Sequence, residues 1–590
     1  MNETNLNYFW AWLMVEELTR LGIRRFCVAP GSRSAPLAMM AADHPRTCLL
    51  THFDERGVAF HALGYAAARR EPCAVITTSG TAVANLFPAV VEASKKKLPM
   101  ILLTADRPPE LRLTGAHQTI DQVKFFHQYV RWQMDVPVPT TSIPPAFVLT
   151  TIDQAVYQAA GRPGGPVHLN IMFREPLHPA GAAPVKREYR QTLADWESSD
   201  APYTVYHAPR RLCAPGAVEE AARAVCGQRR GVIVTGRLSS DDERAAVLAL
   251  AERLNWPVFP DISSGLRLGV RHPLVMPYYD QVLAARDKDE ALCPEVVLHL
   301  GGRITSKRFN QWIRRCRPRR YVMVLNHPLR HDPWAMVHLR VEASVEDFCR
   351  RLTDSLPERR DDPRWATDWQ ETHRRVEDRL NAFFQEAGDI SEMTAARTVS
   401  ELLPEGSGLF LSNSMPLRDM DMYANPRAAA VRMEANRGAS GIDGIIASIS
   451  GFAAGLGAPV TAMVGDLAFW HDLNALAMFR DIETPVVMVV LNNQGGGIFS
   501  FLPIRERNPH FERCFGLAHD WSVPAAAECF HLDYVRPETR QEFRRVYRQA
   551  VAQSGTTIIE VRSDRQENLS AHRRIITMLQ SGKENAHELD

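Results

Sequence analysis

The chain of 590 residues is 45% hydrophobic and 23% charged, the balance of an ordinary globular protein, and is long enough for roughly three or four domains with separate cores. Its 69 basic side chains nearly cancel the 68 acidic ones, so nothing in the charge points to nucleic acid or to an anionic membrane as a main partner. Ten cysteines, at 27, 48, 73, 213, 226, 293, 316, 349, 514 and 529, are scattered without a Cys-x-x-Cys pair or a His/Cys ligand spacing; they are expected to be reduced, mostly buried thiols of a cytoplasmic protein.

In chain order, the apolar stretch from Tyr8 to Val15 runs straight into Glu16, Glu17 and Arg20, which predicts an amphipathic helix and not a signal peptide. Strands are expected at Phe26–Ala29, Cys48–Phe53, Ala74–Thr78, Met100–Thr104 and Val167–Met172, with helices at Arg56–Arg70 and Ala82–Lys97. Short apolar runs alternating with helical patterns read as a βαβ series. His178 to Arg210 reads as a linker. A second α/β unit follows, with strands at Gly231–Val234, Val296–Leu300 and Tyr321–Leu325, and with arginines 314, 315, 317, 319 and 320 as a solvated helix end and strand start.

After a second linker, Asp354 to Asp368, strands at Leu409–Ser412, Val460–Val464, Val486–Leu491 and Thr557–Val561 mark a third unit. The stretch from Gly444 to Gly465 has no charged residue, but its Gly, Ala, Ser and Pro459 predict a buried helix followed by a buried parallel strand instead of a membrane span. The expected fold class is α/β, with three successive parallel-sheet domains at 1–185, 205–352 and 385–575.

Two strand tips in the third unit carry the chemistry. Gly465-Asp466-Leu467 follows one strand and Asn492-Asn493-Gln494-Gly495 the next, with a loop and helix between, so both tips leave the carboxyl ends of parallel strands, where open α/β sheets place ligands. An acid and an amide are hard oxygen donors suited to Mg²⁺, which usually keeps a substrate phosphate in its shell. Gly495, Gly496 and Gly497 let the backbone approach, offering a carbonyl to the metal and amides to a phosphate. On residue types alone, a helix-capping Asp466 and a turn Asn493 fit equally well. In the first domain His52-Phe53-Asp54-Glu55-Arg56-Gly57 closes a strand and opens a helix; Glu55 can point into a crevice there, or simply favour a helix N-terminus.

Gly465-Asp466 followed by Asn492-Asn493, with a glutamate in a separate domain, resembles the signature of the thiamine diphosphate-dependent enzymes. Leu467 departs from the glycine that many members carry. The resemblance narrows to the menaquinone-pathway branch on Gly31-Ser32-Arg33-Ser34-Ala35-Pro36-Leu37, Phe53-Asp54-Glu55-Arg56-Gly57, Thr78-Ser79-Gly80-Thr81-Ala82, Thr104-Ala105-Asp106-Arg107-Pro108, Asn436-Arg437-Gly438-Ala439-Ser440-Gly441-Ile442-Asp443-Gly444 and Ile498-Phe499. These runs occur in order over essentially the whole chain.

That resemblance implies pyrimidine-binding, central and diphosphate-binding domains and a decarboxylation of 2-oxoglutarate, followed by 1,4-addition of the succinyl carbanion equivalent to isochorismate, in menaquinone or phylloquinone biosynthesis. Glu55 would be catalytic, hydrogen-bonding the cofactor's pyrimidine ring. Gly80, Ile442, Gly465, Asp466, Leu467, Asn493, Gly495, Ile498 and Phe499 would join it in binding thiamine diphosphate, with Asp466, Asn493 and Gly495 on Mg²⁺ or Mn²⁺. Both substrates are dianions, and Arg33, Arg107, Lys307, Arg308, Arg418 and Arg437 would meet their carboxylates, with Ser32, Gln118 and Asn413 as polar contacts.

The implied assembly is a homodimer or homotetramer with the site between subunits, with no nucleic acid and no stable membrane insertion. Two alternatives remain open at this stage. One is another carboligase or decarboxylase of the family, such as an acetolactate-synthase-like enzyme whose middle domain binds FAD, although Gly301-Gly302-Arg303 is too short for a dinucleotide fingerprint. The other is a non-catalytic diphosphate-binding protein on the same fold.

Overall fold

Short apolar runs, continuous because both faces of a parallel sheet are covered, build three separate sheets in which every strand pair is parallel. The structure is a computed structural model and describes residues 5–178, 185–286, 289–357, 364–507 and 509–581. The first sheet contains β1 (Arg25–Val28), β2 (Cys48–Thr51), β3 (Cys73–Thr77), β4 (Met100–Asp106), β5 (Trp132–Val136) and β6 (Pro166–Met172), in the order β2-β1-β3-β4-β6-β5. The second contains β7 (Gly231–Thr235), β8 (Val258–Pro260), β9 (Val296–Leu300), β10 (Arg320–Leu325) and β11 (Leu339–Glu342), in the order β11-β10-β9-β7-β8. The third contains β12 (Gly408–Leu411), β13 (Arg432–Glu434), β14 (Val460–Gly465), β15 (Val486–Asn492), β16 (Asp533–Val535) and β17 (Thr556–Arg562), in the order β13-β12-β14-β15-β17-β16.

The chain forms two compact units. One contains the first sheet together with residues 436–457 and 468–483; the other contains the second and third sheets. In the first unit β3, β4 and β6 are buried along their whole length. The helix Glu55–Arg69 packs on the helix Ile445–Leu456 through glycines, since a β-carbon on Gly64 would lie 2.0 Å from the Ser448 carbonyl oxygen. His61 Nδ1 and Ser450 Oγ meet at 2.8 Å across the same crossing. The uncharged stretch is thus a buried helix followed by β14, as its composition predicts. Among the described residues no helix is long and apolar enough to cross a membrane.

Four expectations need correction. The N-terminal helix, Leu6–Arg20, is not amphipathic towards solvent. Nearly all of it is buried, Glu17 included, and Glu17 accepts hydrogen bonds from Trp196 Nε1 at 2.7 Å and the Tyr203 amide at 2.5 Å. The stretch at 178–210 is for the same reason more than a linker: it holds the short helices Arg187–Gln191 and Ala194–Glu197, the second of which buries Trp196 against that N-terminal helix. Ala82–Lys97 is two helices, Thr81–Asn85 and Phe87–Lys96, broken where Pro88 lacks an amide hydrogen.

Finally, the cysteines are not all reduced. Cys293, just before β9, and Cys316, ending the helix Lys307–Cys316, form a disulfide with their α-carbons 5.3 Å apart. Of the eight free thiols, 27, 73, 213 and 349 are buried while 48, 226, 514 and 529 are exposed. Residues 358–363 of the second expected linker lie outside the described residues, and the helix Arg364–Glu386 starts within it.

Candidate active site

In the second unit β14 and β15 lie side by side, Gly465 level with Leu491, so that Asp466 and Asn493 leave the carboxyl ends of adjacent parallel strands. Asp466 is 2% exposed. Its Oδ1 accepts the Leu467 amide at 2.7 Å and its Oδ2 the Gly495 amide at 2.8 Å, and His519 Nε2 stands 3.2 Å from Oδ2. Burial pushes this carboxyl above its ordinary range, opposed by the two amides and by His519. A carboxylate has about four lone-pair sites, so three donors do not exhaust it.

Gly495 has φ +149°, and a β-carbon there would lie 2.2 Å from the Gly516 carbonyl oxygen; only glycine lets the loop turn back beside Asp466. The Asn493 Nδ2 donates to Glu392 Oε1 at 2.9 Å. Its Oδ1 is sealed from solvent with no hydrogen-bond partner among the described residues, a buried acceptor left open. Glu392 is itself 1% exposed and also accepts the Ser563 hydroxyl at 3.0 Å. Burial, and after it the Asp419 carboxylate, pushes Glu392 up to about 7.

Among the described residues no group of three His, Cys, Asp or Glu side chains could hold a metal. The open Asn493 oxygen, the Asp466 carboxylate and a glycine backbone form an all-oxygen donor set instead, which fits Mg²⁺ or Mn²⁺ carrying a diphosphate. Ile498 and Phe499 are half-buried on the single-turn helix Gly497–Phe501, where Phe499 meets the Phe515 ring at 5.7 Å; Leu467 is half-buried at the start of Asp466–His471.

Of the basic residues in this unit, Arg418 Nη1 donates to the Ser414 carbonyl oxygen at 2.6 Å, one turn before it on the helix Met415–Tyr423. Asn413 is buried beside Ser414, whose φ of +77° is rare outside glycine. Lys307 is exposed at the start of its helix, and Arg308 is ion-paired with Asp280.

The first unit holds the other candidates. Glu55 opens its helix, half-buried, with no hydrogen bond or ion pair to any described residue. Its neighbours Asp54 and Arg56 are tied down. Asp54 caps the helix by accepting the Arg56 amide at 3.0 Å and takes a second hydrogen bond from Asn474 Nδ2 at 3.0 Å, while Arg56 pairs with buried Asp472 at 3.3 Å.

At the ends of β3 and β4, Arg107 donates to the Ser79 hydroxyl, and Ser79 and Gln118 exchange hydrogen bonds at 3.0 Å. Gly80 has φ +85° and donates its amide to Gln122 at 3.0 Å. Arg33 is buried and donates to the Phe173 carbonyl oxygen at 2.9 Å; burial, and after it the charge of Arg107, lowers its affinity for its proton. Ser32 beside it is exposed. Arg33, Arg107, Ser79, Gln118 and Gly80 therefore form one cluster. Arg437 sits in a loop whose Gly438 and Ala439 amides are clamped by buried Glu92 at 2.7 and 2.6 Å, and Ile442 further along is 38% exposed.

Sequence reasoning missed Glu392, His519 and Glu92. Glu392 is 101 positions from Asn493 and Glu92 is 346 from Gly438, and no local motif marks either.

Family models of the thiamine pyrophosphate enzymes match in three places: the N-terminal TPP binding domain over residues 10–125, the middle domain over 187–411 and the C-terminal TPP binding domain over 432–561. A solved structure from Mycobacterium smegmatis, assigned to the thiamin diphosphate-dependent enzymes, shares the fold with a TM-score of 0.68 over 94% of this chain and 98% of that one, at 16% identity. The fold is thus that of the thiamine diphosphate enzymes, and the three family models together put the chain in that class.

The relatives narrow the class. A 2-succinyl-5-enolpyruvyl-6-hydroxy-3-cyclohexene-1-carboxylate synthase of Rubrobacter xylanophilus is 47% identical over 97% of this chain and 98% of that protein. Proteins of the same name from Salinibacter ruber (44% identical, 98% of this chain, 97% of that one) and Prosthecochloris aestuarii (42%, 98% of each) match equally fully. The chain belongs to the family of these synthases.

Proposed function

We propose that the protein decarboxylates 2-oxoglutarate with thiamine diphosphate and Mg²⁺ and adds the succinyl unit to isochorismate, releasing CO₂ and 2-succinyl-5-enolpyruvyl-6-hydroxy-3-cyclohexene-1-carboxylate on the route to menaquinone or phylloquinone. Beyond family membership, the observation that carries the reading is the pairing of Arg33 with Arg107 beside exposed Ser32. Arg33, whose charge is disfavoured by burial and after it by Arg107, carries an electrostatic cost that an anionic, carboxylate-bearing substrate relieves.

When bound, thiamine diphosphate supplies an electron sink for loss of CO₂ from a 2-oxo acid. Asp466, Asn493 Oδ1 and the Gly495 carbonyl would hold the metal and through it the diphosphate, with Gly465 and Leu467 at the same strand tip. Glu55, its carboxylate without a hydrogen bond or ion pair among the described residues, would hold a proton at a pyrimidine ring nitrogen. Arg33, Arg107, Arg418 and Arg437 would fix substrate carboxylates, with Ser32, Gln118 and Asn413 as polar contacts and Lys307 and Arg308 as a further basic pair. Gly80, Ile442, Ile498 and Phe499 would line the cofactor's place and keep water away from it.

In this reading residues 1–185, 205–352 and 385–575 are the pyrimidine-binding, central and diphosphate-binding parts. A homodimer or homotetramer, in which one copy's pyrimidine-binding part serves another's diphosphate-binding part, is the working assembly. A cytoplasmic location is supported by free, soluble substrates and by eight thiols against one disulfide. The test is direct: loss of isochorismate absorbance, followed with each of thiamine diphosphate, Mg²⁺ and 2-oxoglutarate withheld in turn, should require all three. Turnover without 2-oxoglutarate would overturn the assignment.

A further inference from the structure

Resting on the metal-and-diphosphate reading above, we propose that Glu392 is a positioning residue that fixes which way the Asn493 amide faces, so that Oδ1 and not Nδ2 is presented to the cation. Three elements converge on this point. Asn493 follows β15, Ser563 follows β17, and Glu392 opens the helix Glu392–Leu402, whose start is held by reciprocal hydrogen bonds between Ser391 and Thr394.

Glu392 Oε1 accepts from Asn493 Nδ2 at 2.9 Å and from the Ser563 hydroxyl at 3.0 Å. An oxygen that already accepts from a hydroxyl is a poor neighbour for an amide oxygen. Turning the Asn493 amide over would press two acceptors together and aim two N–H protons at the cation, so both ends of the amide oppose the flip. As found, the donor end is spent on Glu392 and the acceptor end is buried with no partner among the described residues.

Glu392 itself lies 1% exposed, and buried Asp419 repels it. An acid in such a place costs stability that an apolar side chain of equal volume would not. Orientation of a metal ligand accounts for its presence, because partners of this kind typically change metal affinity by about 10–100-fold.

The test uses the full-length protein without substrates. Mn²⁺ binding is read by electron paramagnetic resonance, and Mg²⁺-dependent thiamine diphosphate binding by tryptophan fluorescence. Glu392→Gln keeps an oxygen that can accept from both donors and should stay near wild type. Glu392→Met fills the space without an acceptor and should weaken metal binding about 10–100-fold, while the thermal midpoint of its metal-free form does not fall; a merely structural role would lower that midpoint and leave the affinity of the folded protein unchanged. Should the Met variant not fold, Glu392→Asp, which withdraws the acceptor by one methylene, should show the same loss of affinity. Wild-type metal affinity in the Met or Asp variant, or equal loss in Gln and Met, overturns the inference alone. Failure of the wild type to bind thiamine diphosphate overturns the functional reading with it.

Discussion

Gly451 sits so close to His61 that a β-carbon on it would lie 1.9 Å from the His61 carbonyl oxygen. The reciprocal approach, Gly64 against the Ser448 carbonyl oxygen, makes this a crossing of two helix backbones with nothing between them. The helix so clamped is the one that Glu55 opens. Gly451→Ala or Gly64→Ala should force the helices apart and cost about 1–3 kcal/mol of stability, read as a lower thermal midpoint. A variant as stable as wild type would show that the crossing yields freely.

Glu55→Gln should fold normally and bind Mg²⁺ and thiamine diphosphate near normally, because its carboxylate makes no hydrogen bond or ion pair with a described residue. Turnover should fall by about 10²–10⁴-fold, the usual worth of a positioned proton-transferring group. Substantial activity in this variant would remove the proton-holding role from Glu55.

Arg418→Ala should weaken use of the two acidic substrates more than it weakens cofactor binding. Its hydrogen bond to the Ser414 carbonyl oxygen at the start of its own helix is a small loss to folding. Unchanged kinetic constants for both substrates would take Arg418 out of the site.

Chelation of divalent metal should remove the stabilisation that cofactor gives. With free ligand at a hundred times its dissociation constant that stabilisation is about 2.7 kcal/mol. Asp466→Ala should show none of it at the same concentrations, and a normal cofactor-dependent rise in thermal midpoint in that variant would contradict the metal assignment.

Glu16 sets an acid limit on the first unit. Burial pushes its carboxyl up, but hydrogen bonds from His44, Arg20 and Arg46 outweigh burial and hold it at about 2, below its ordinary 4.5. Its folded pKa is depressed, so its contribution is complete above 4.5 and is lost as pH falls towards 2. The difference in denaturant midpoint between wild type and Glu16→Gln should therefore be largest at neutral pH and shrink through that window; a difference independent of pH would mean that the charge is not what matters.

The strands readable in the sequence were the central ones and a single edge strand, β2. The five not anticipated, β5, β8, β11, β13 and β16, all lie at sheet edges. An edge strand is short and covered on fewer sides, so it need not be a continuous apolar run, whereas β3, β4, β14 and β15 are buried nearly throughout and announce themselves by composition.

The candidate site divides in the same way. Asp466, Asn493 and the glycines after it are close in sequence to the strand ends that place them, and Glu55 follows its own strand directly, so residue type and position sufficed to single them out. The residues that hold the site's loops come from far along the chain: Glu392 reaches Asn493 and Glu92 clamps the loop of Arg437. A polar group's chemistry is written in its identity and its local turn. The partner that satisfies it once water is excluded is chosen by which elements pack together, and that only the tertiary structure decides.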